Sequence, residues 1–243
     1  MKFLLTAINA KFIHSNPAIY SLRAGVGEKL QPYVELAEFT INESLENILE
    51  GIWKRQPKVI GFSCYIWNWK LIREILTELP KILPNTEIWL GGPEVTYDGP
   101  GLLREFPQIT GIMVGEGEVT FREVLDQYVR EAESTGQSEQ QPEPDSIEQQ
   151  AADRTGTVAG KSVAERFGQI SGLCLASGYT APRELTDLTT LPFLYEDMEP
   201  FTNRIIYYET SRGCPYRCSY CLSSIDKKVR LRDISVVKRE LQF

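Results

Sequence analysis

The first 130 residues alternate between short apolar runs and segments with helical hydrophobic spacing, and this alternation limits the possible folds more than any other feature. Five runs have the length and apolar character of buried strands, over residues 2–9, 34–41, 58–63, 87–90 and 109–114. Between two of them, Leu45, Ile48 and Ile52 recur at helical spacing. Strands separated by helices favour a parallel sheet wound by right-handed crossovers. We therefore predict an α/β fold with a five-stranded, doubly wound parallel sheet over residues 1–130.

The composition changes abruptly after this predicted sheet. From residue 131 to 154, Gln, Glu, Ser and Pro dominate, and Ile147 is the only aliphatic residue besides alanine. Such a segment cannot bury enough apolar surface to offset the entropy lost on ordering, so we expect a disordered acidic insert, assigned to 131–169. A solvated helix over part of it is the alternative. A hairpin and a linker containing Pro192 should follow over 170–203.

Three of the five cysteines lie close together, at Cys214, Cys218 and Cys221. Gly213 and Pro215 favour a loop, which would let the three thiols converge on one centre. Soft thiolates select zinc or an iron–sulfur cluster, and three ligands leave one coordination position free for chemistry. An odd number of cysteines without a secretory leader favours metal chemistry in a reducing, cytoplasmic compartment over disulfide bonding.

The segment Glu209–Leu222 has the pattern Cys-x3-Cys-x2-Cys with Tyr220 before the third cysteine, and it resembles the cluster loop of the radical S-adenosylmethionine (SAM) enzymes. In that family the three cysteines hold a 4Fe–4S cluster whose remaining iron binds SAM. The resemblance implies that Cys214, Cys218 and Cys221 are the cluster ligands. It also implies that Tyr220 packs near the adenine of SAM.

Residues 204–210 are rich in β-branched and aromatic side chains and predict a strand that enters this loop. A helix should begin at Asp233. Residues 204–243 would therefore supply the first strand, loop and helix of a radical SAM barrel. One such unit cannot close a barrel or bury its apolar strand, so we expect a truncated chain that does not turn over SAM by itself.

A second resemblance lies in the loops that follow the third and fourth predicted strands. They are similar to those of the cobalamin-binding domain, a five-stranded flavodoxin-like fold with Ser-x-Leu and Gly-Gly at these places. Here the sequence has Ser63-Cys-Tyr65 and, after a similar interval, Gly91-Gly92. The resemblance implies that Ser63, Tyr65, Gly91 and Gly92 bound a cobalamin pocket. Ser63 and Gly91 would line the slot for the dimethylbenzimidazole tail.

The loop after the first strand departs from that family's pattern of Asp-x-His-x-x-Gly. His14, the only histidine, lies in this loop, but Phe12 and Pro17 stand where the family has Asp and Gly. A metal-bound histidine needs a partner that fixes its tautomer, and the family's Asp supplies one. We therefore favour a loop histidine over a cobalt ligand. Cobalamin-dependent radical SAM enzymes commonly lack this histidine, so the departure fits that group.

The loop after the fifth strand allows two interpretations. Gly115, Glu116 and Gly117 could contact the corrin face, since the run through Glu118 resembles a stretch found in the same group. The alternative is a tight turn whose acidic residues begin the next helix, where they favour the helix dipole. Trp67 and Trp69 allow a similar choice between covering the corrin and packing against the sheet.

Together the resemblances imply the N-terminal part of a cobalamin-dependent radical SAM enzyme that uses a 4Fe–4S cluster, SAM and cobalamin for radical methyl transfer or cyclisation. The expected partners are a small-molecule substrate of unknown identity and an electron donor for the cluster. The formal charge of −7 gives no sign of nucleic-acid binding, and no apolar stretch approaches the length of a membrane span. Two alternatives stay open, a non-catalytic cobalamin-binding module and a flavodoxin-like domain with a zinc-binding tail.

Overall fold

The structure, a computed structural model, describes residues 1–134, 161–195, 197–216, 218–225 and 228–243. Its strands are β1 (Phe3–Asn9), β2 (Val34–Thr40), β3 (Val59–Ser63), β4 (Glu87–Gly91), β5 (Ile109–Met113), β6 (Leu173–Leu175), β7 (Gly178–Tyr179), β8 (Ser211–Arg212) and β9 (Arg230–Leu231). Its helices are α1 (Pro17–Gly25), α2 (Leu45–Trp53), α3 (Trp69–Ile82), α4 (Gly99–Glu105), α5 (Gly117–Ser134), α6 (Val163–Phe167) and α7 (Ile234–Leu241). Short 3-10 turns cover Gln31–Tyr33, Leu188–Thr190, Glu199–Phe201 and Leu222–Ser224.

The main sheet has the strand order β2-β1-β3-β4-β5-β6-β7. Strands β1 to β5 pair in parallel, which confirms the predicted five-stranded, doubly wound sheet. Strand β6 pairs antiparallel with β5, and β7 with β6. The hairpin expected over 170–203 thus continues the same sheet, an extension that no sequence pattern indicated. The chain order reverses beside β1, and such a switch point is where ligands bind in open α/β sheets.

Helices cover both faces of the sheet, so each strand buries both of its sides. Along β1, Phe3, Leu5 and Ala7 pack with α1 and α5, while Leu4 and Ile8 pack with α2, α3 and α4. All of β1 is buried, as expected for a central parallel strand with an almost continuous apolar sequence. The two apolar layers bury the middle of the sheet, and its strand ends carry the loops of the site.

The expected acidic insert is shorter at both ends than its assigned range. Helix α5 extends to Ser134, and α6 forms at Val163–Phe167, where disorder was expected. Phe167 is fully buried, with its ring 5.1 Å from the rings of both Trp89 and Tyr128. The polar composition of the segment before residue 161 gave no indication that Phe167 would be buried. The rest of the insert, 135–160, lies outside the described residues.

A buried arginine fixes α6 to the sheet. The guanidinium of Arg166 lies 2.9 Å from a carboxylate oxygen of Glu87 on β4 and 2.9 Å from one of Glu131 on α5. Tyr128 donates a hydrogen bond to Glu87 over 2.6 Å and accepts one from the Trp89 indole over 2.9 Å. Burial and the adjacent Glu87 charge raise the pKa of Tyr128 well above its usual value, so the phenol remains a donor.

The strand predicted over residues 204–210 is not formed, so this prediction was wrong. A single parallel bridge joins Ile205 to His14, and β8 begins only at Ser211. A strand needs a partner strand along its length, and in the described part of the chain this segment pairs with no strand: its backbone bonds go to the loop after β1, to the Tyr195 hydroxyl and to the Arg232 amide. The side chains of Ile206 and Tyr207 are consequently about two-fifths exposed. Strand β8 instead pairs antiparallel with β9 on the far side of the three-cysteine loop.

Replacing Arg166 with alanine should destabilise the fold by about 3 kcal/mol, because Glu87 and Glu131 would keep their charges beside a buried phenol without a cation. Urea unfolding near neutral pH measures this loss. The control is Lys81→Ala, which removes an exposed ion pair with Glu78 and should cost less than about 1 kcal/mol. Equal losses for the two variants would show that Arg166 is not an anchor.

Candidate cofactor site at the carboxyl edge of the sheet

The carboxyl ends of β1, β3, β4 and β5 meet at one edge, and the loops that leave this edge expose apolar side chains. Ile66 is 81% exposed and Trp67 is 47% exposed. The other exposed apolar residues in these loops are Phe12, Ile13 and Tyr97. A group of exposed apolar side chains of this kind marks an interaction or ligand-binding surface, and this edge is where open parallel sheets bind ligands.

Small residues line the sheet just inside this edge. Ala7, Ser63, Gly91 and Met113 are successive partners across β1, β3, β4 and β5, so they form one row. Ala7 and Met113 belong to the apolar layer that packs with α1 and α5, so the row faces these helices. A Cβ atom on Gly91 would meet only Met113, at 3.7 Å, which is ordinary contact. Three of the four residues in the row, Ala7, Ser63 and Gly91, thus present small side chains or none toward α1 and α5.

Gly92 has a different role from Gly91. Its φ is +107°, a conformation that favours glycine, and a Cβ there would lie 2.5 Å from the carbonyl oxygen of Cys64. The amide of Cys64 also donates a hydrogen bond to the carbonyl of Gly91 over 2.7 Å. Gly92 thus allows the loop after β4 to approach the backbone of the loop after β3. Both predicted glycines lie at the edge, but only at position 92 do the backbone conformation and the close approach require a glycine.

Two asparagines, which the sequence motifs did not single out, fix the loops around Ser63. The buried Asn68 amide donates hydrogen bonds of 3.0 Å to the carbonyls of Ile8 and Ser63, and its oxygen accepts one of 2.8 Å from the Tyr65 amide. Asn16 caps α1 and donates a bond of 3.4 Å to the Ser63 hydroxyl. The Asn-Pro pair before α1 is a recognisable helix start, whereas nothing in the sequence marked Asn68.

The aromatic residues after β3 separate into two roles. Trp69 is partly buried against the apolar layer of α2, α3 and α4, with Arg73 over its ring, so the packing interpretation holds for it. Trp67 instead lies at the edge and stacks on Tyr65, with ring centroids 4.4 Å apart. Burial, followed by the Cys64 thiol, raises the pKa of Tyr65 and keeps its phenol neutral. Tyr65 and Trp67 form a flat aromatic surface beside the row of small residues.

His14 contacts the segment that leads to the three-cysteine loop. Its Nδ1 is hydrogen-bonded to the hydroxyl of Tyr207, and the two rings stack with centroids 5.9 Å apart. The amide of Ser15 donates to the carbonyl of Ile205 over 3.1 Å. The structure thus assigns the imidazole a local partner within the described chain, as favoured for a loop histidine.

Glu38, on β2, accepts hydrogen bonds from side chains of β1, of α1 and of the segment that leads to the three-cysteine loop. The Arg204 guanidinium pairs with it through both of its terminal nitrogens, one of them at 2.9 Å, and Asn9 and Tyr20 donate bonds of 2.9 and 2.8 Å. Burial would raise the pKa of Glu38, but the bonds from Arg204, Asn9 and Tyr20 and the Arg204 charge lower it below its usual value. Glu38 is therefore an ionised acceptor, although its side chain is largely buried.

Glu116 and Glu118 bind arginines, a role that neither sequence interpretation foresaw. Glu116 pairs with Arg230 and lies 3.3 Å from Arg212, and its oxygen accepts a bond of 2.8 Å from the Thr186 amide. Glu118 lies 2.8 Å from Arg212. Burial opposes ionisation of Glu116, but the Arg230 and Thr186 hydrogen bonds and the arginine charges lower its pKa. The predicted corrin contact of Gly115, Glu116 and Gly117 stays a prediction.

The three cysteines lie on the loop between β8 and β9. Cys214, Cys218 and Cys221 are reduced and half-buried, and the Cys221 amide donates to the Cys218 carbonyl over 3.1 Å. Tyr220 is 91% exposed. Across the described ranges, no three His, Cys, Asp or Glu side chains are arranged to hold a metal ion. The role of the three cysteines as cluster ligands stays a prediction, as does the role of Tyr220.

None of the helices that the structure describes has the length and apolarity needed to cross a membrane.

Comparison with known proteins places these features in a family. Residues 4–125, which form the parallel sheet and most of its helices, match the family model described as B12 binding domain. The chain is 31% identical over 175 residues to the cobalamin-dependent radical SAM methyltransferase TokK of Streptomyces tokunonensis, covering 68% of this chain and 22% of that protein. It is 26% identical over 212 residues to the 2-(S-pantetheinyl)-carbapenam-3-carboxylate methyltransferase of Streptantibioticus cattleyicolor, covering 83% and 27%.

A solved structure shows the same fold over almost all of the chain. The cobalamin-dependent S-adenosylmethionine radical enzyme OxsB, with aqua-cobalamin and S-adenosylmethionine bound, aligns with a TM-score of 0.64 and 17% identity. The alignment covers 98% of this chain and 31% of that one. The chain therefore spans about a quarter of the length of the two curated relatives named above.

Gly92→Ala should destabilise the fold more than Gly27→Ala, although both residues have positive φ. At Gly27 no atom lies within 4 Å of the added Cβ, so only the backbone conformation is strained, at about 1 kcal/mol. At Gly92 the Cβ meets the Cys64 backbone, which should add about 1–3 kcal/mol. Urea unfolding of both variants measures the difference, and equal losses would contradict the close approach of the two loops.

Acidification should remove the stabilisation that Glu38 provides. A carboxyl whose pKa is lower in the folded state stabilises the fold fully above its unfolded pKa and loses this effect as the pH falls through the folded value. The difference in free energy of unfolding between wild type and Glu38→Gln should therefore be larger at about pH 7 than at about pH 3. Urea titrations at both values test this, and a difference that does not shrink in acid would contradict it.

Proposed function

The chain belongs to the B12-binding domain family, and from this membership we propose that it binds cobalamin at the carboxyl edge of its sheet and serves as the N-terminal part of a cobalamin-dependent radical SAM methyltransferase. The observation that carries the proposal is the row of small residues with Ser63 and Gly91 at adjoining strand ends, inside the matched residues. A bound cobalamin supplies a cobalt centre that carries a methyl group.

The residues at the edge suit a large ligand with a flat face and an extended tail. The small residues Ser63 and Gly91, in the row that faces α1 and α5, have the position expected for the dimethylbenzimidazole tail. The exposed side chains of Ile66 and Trp67 would then be covered by the ligand, and removing them from water would favour binding. We propose that the imidazole of His14 is not a cobalt ligand, because Phe12 stands where the family has the Asp that fixes the tautomer of a metal-bound histidine.

We further propose that Cys214, Cys218 and Cys221 hold a 4Fe–4S cluster that binds SAM, with Tyr220 beside the adenine. Their spacing and the radical SAM names of the relatives support this assignment. The cluster supplies the electron that cleaves SAM when an electron donor has reduced it. The described side chains are not arranged to hold a metal ion, and we propose that the loop rearranges as the cluster assembles. Clustered thiols of this kind must stay reduced, which suits the cytoplasm.

We propose the complete reaction for a protein of the relatives' length, of which this chain spans about a quarter. Radical methyl transfer to a small-molecule substrate is the activity that the relatives support, with cyclisation as the second possibility from the sequence. In this scheme the present residues contribute the cobalamin site and the cluster loop. The substrate would lie between the two cofactors, where both could reach it.

Hydroxocobalamin titrated into the purified 243-residue chain should change its absorption spectrum in a saturable way. Trp67→Ala should weaken binding about tenfold, because an exposed aromatic ring at the edge loses its contact with the ligand. The matched control is Trp53→Ala, since Trp53 is 50% exposed but lies at the end of α2, away from the edge. Equal affinity for the two variants would contradict a site at the carboxyl edge.

Anaerobic reconstitution with iron and sulfide tests the cluster. Wild type should gain iron and acid-labile sulfide with the absorption of a 4Fe–4S cluster, and Cys218→Ala should lose most of both. Cys174→Ala is the control, because Cys174 is buried in β6 and should leave the iron content unchanged. Zinc without sulfide in wild type would contradict the radical SAM assignment and favour the zinc-tail alternative.

A further inference from the structure

Three arginines flank the three-cysteine loop, and each forms an ion pair with a glutamate of the first domain. Arg204 and Arg212 precede the loop, and Arg230 follows it. Their acceptors, which we call the acidic triad, are Glu38, Glu116 and Glu118. The triad comes from two elements, β2 and the turn into α5. The cluster loop is therefore attached to the sheet by charge at separate points and not by one continuous contact.

The first attachment lies beside β1. Arg204 pairs with Glu38 and donates a second hydrogen bond of 2.7 Å to the carbonyl of His14. Both charged side chains are only 13% exposed. The Ile205 amide donates to the carbonyl of Ile13 over 2.6 Å, so backbone contacts accompany the ion pair. This attachment holds the chain that enters the cluster loop against the loop that follows β1.

The second attachment lies beside β5. Arg212, two residues before the first cysteine, lies 2.8 Å from Glu118 and 3.3 Å from Glu116. Arg230, on the returning strand, pairs with Glu116 and donates a bond of 2.7 Å to the carbonyl of Thr186. Gly115, with φ of +79°, makes the turn that brings the two glutamates to the arginines. Both strands of the β8–β9 hairpin are thus fixed to one turn.

These pairs are too well buried to be ordinary surface ion pairs. The side chains of Glu116 and Glu118 are about one-tenth exposed, and those of Arg212 and Arg230 about one-fifth. A mostly buried charge that loses its partner is costly, whereas a satisfied one favours a single geometry. Arg212 also pairs with Glu209, at 2.7 Å, so three carboxylates meet two arginines at this attachment. The arrangement selects one position for the hairpin.

We propose that the acidic triad is a docking surface that sets the position of the three-cysteine loop relative to the carboxyl edge, and hence the separation of the two cofactors. The cofactor part rests on the proposed function, whereas the docking itself does not. Glu38, Glu116 and Glu118 are positioning residues, since they act through the arginines. A substrate that must meet a radical on one side and a methyl donor on the other requires such a fixed separation.

Hydrogen exchange of the chain without cofactors tests the docking. In a Glu116→Gln, Glu118→Gln double variant, the amides of Thr186 and of the β8–β9 hairpin should exchange about tenfold faster, while those of β1, β3 and β4 should be unchanged. The control is Glu74→Gln, which removes an exposed glutamate from α3 and should change neither group. Unchanged protection of the hairpin in the double variant would overturn the proposal, and faster exchange throughout the sheet would show a merely structural role.

Electron paramagnetic resonance tests the consequence for the cofactors. With cob(II)alamin and the reduced cluster both bound, wild type should show magnetic coupling between the two centres, and the double variant should lose or redistribute it. The coupling is compared at saturating cobalamin, because Glu116 is itself a predicted corrin contact, and the iron content should equal that of wild type and Glu74→Gln. Coupling unchanged in the variant would overturn the proposal. If wild type bound neither cofactor, the proposed function would fail, and the exchange experiment would still decide the docking.

Discussion

The candidate site depends on the parallel register of β1, β3, β4 and β5. This register brings Ala7, Ser63, Gly91 and Met113 into one row and makes all four strands end at the same edge. Three of these residues are small, and each of the four strands ends within two residues of the row. A shift of one residue in a strand would turn residues of the opposite face into the row. The apolar layers on both faces oppose such a shift, because each strand buries alternate residues on each side.

Polar groups then fix the loops that the sheet places at the edge. Asn68 satisfies the backbone between β1 and β3, and Gly92 lets the next loop approach closely. Glu38 and Glu116 remain ionised despite burial, because arginines and amides donate to them. These interactions are directional, so they specify geometry more strongly than apolar packing does. The sheet therefore determines where the site lies, and the polar groups determine its shape.

The sequence alone predicts the sheet, but it does not predict the contacts between segments that lie far apart in the chain. Apolar periodicity predicted the five parallel strands, since each run must be buried on both faces. The motif residues Ser63, Gly91 and Gly92 do lie at the predicted edge. The ion pairs of Glu116 could not be predicted, because Arg212 and Arg230 are about a hundred residues away and no local pattern links them. For the same reason the strand expected over 204–210 failed: its β propensity is real, but its partner strands are absent from the described chain.

Under the proposed function the three-cysteine loop takes up iron and sulfide, and attachment by charge would let it change conformation as it does so. An apolar attachment would spread over a broad area, and movement of the cysteines would disturb it. Arginine side chains are long and end in several donors, so they can keep their carboxylates while the backbone between them changes. The anchors Arg212 and Arg230 lie outside the three cysteines, which leaves Cys214, Cys218 and Cys221 free to converge. The sheet and the acidic triad thus hold both ends of the three-cysteine loop in place, while the residues between these ends can change conformation.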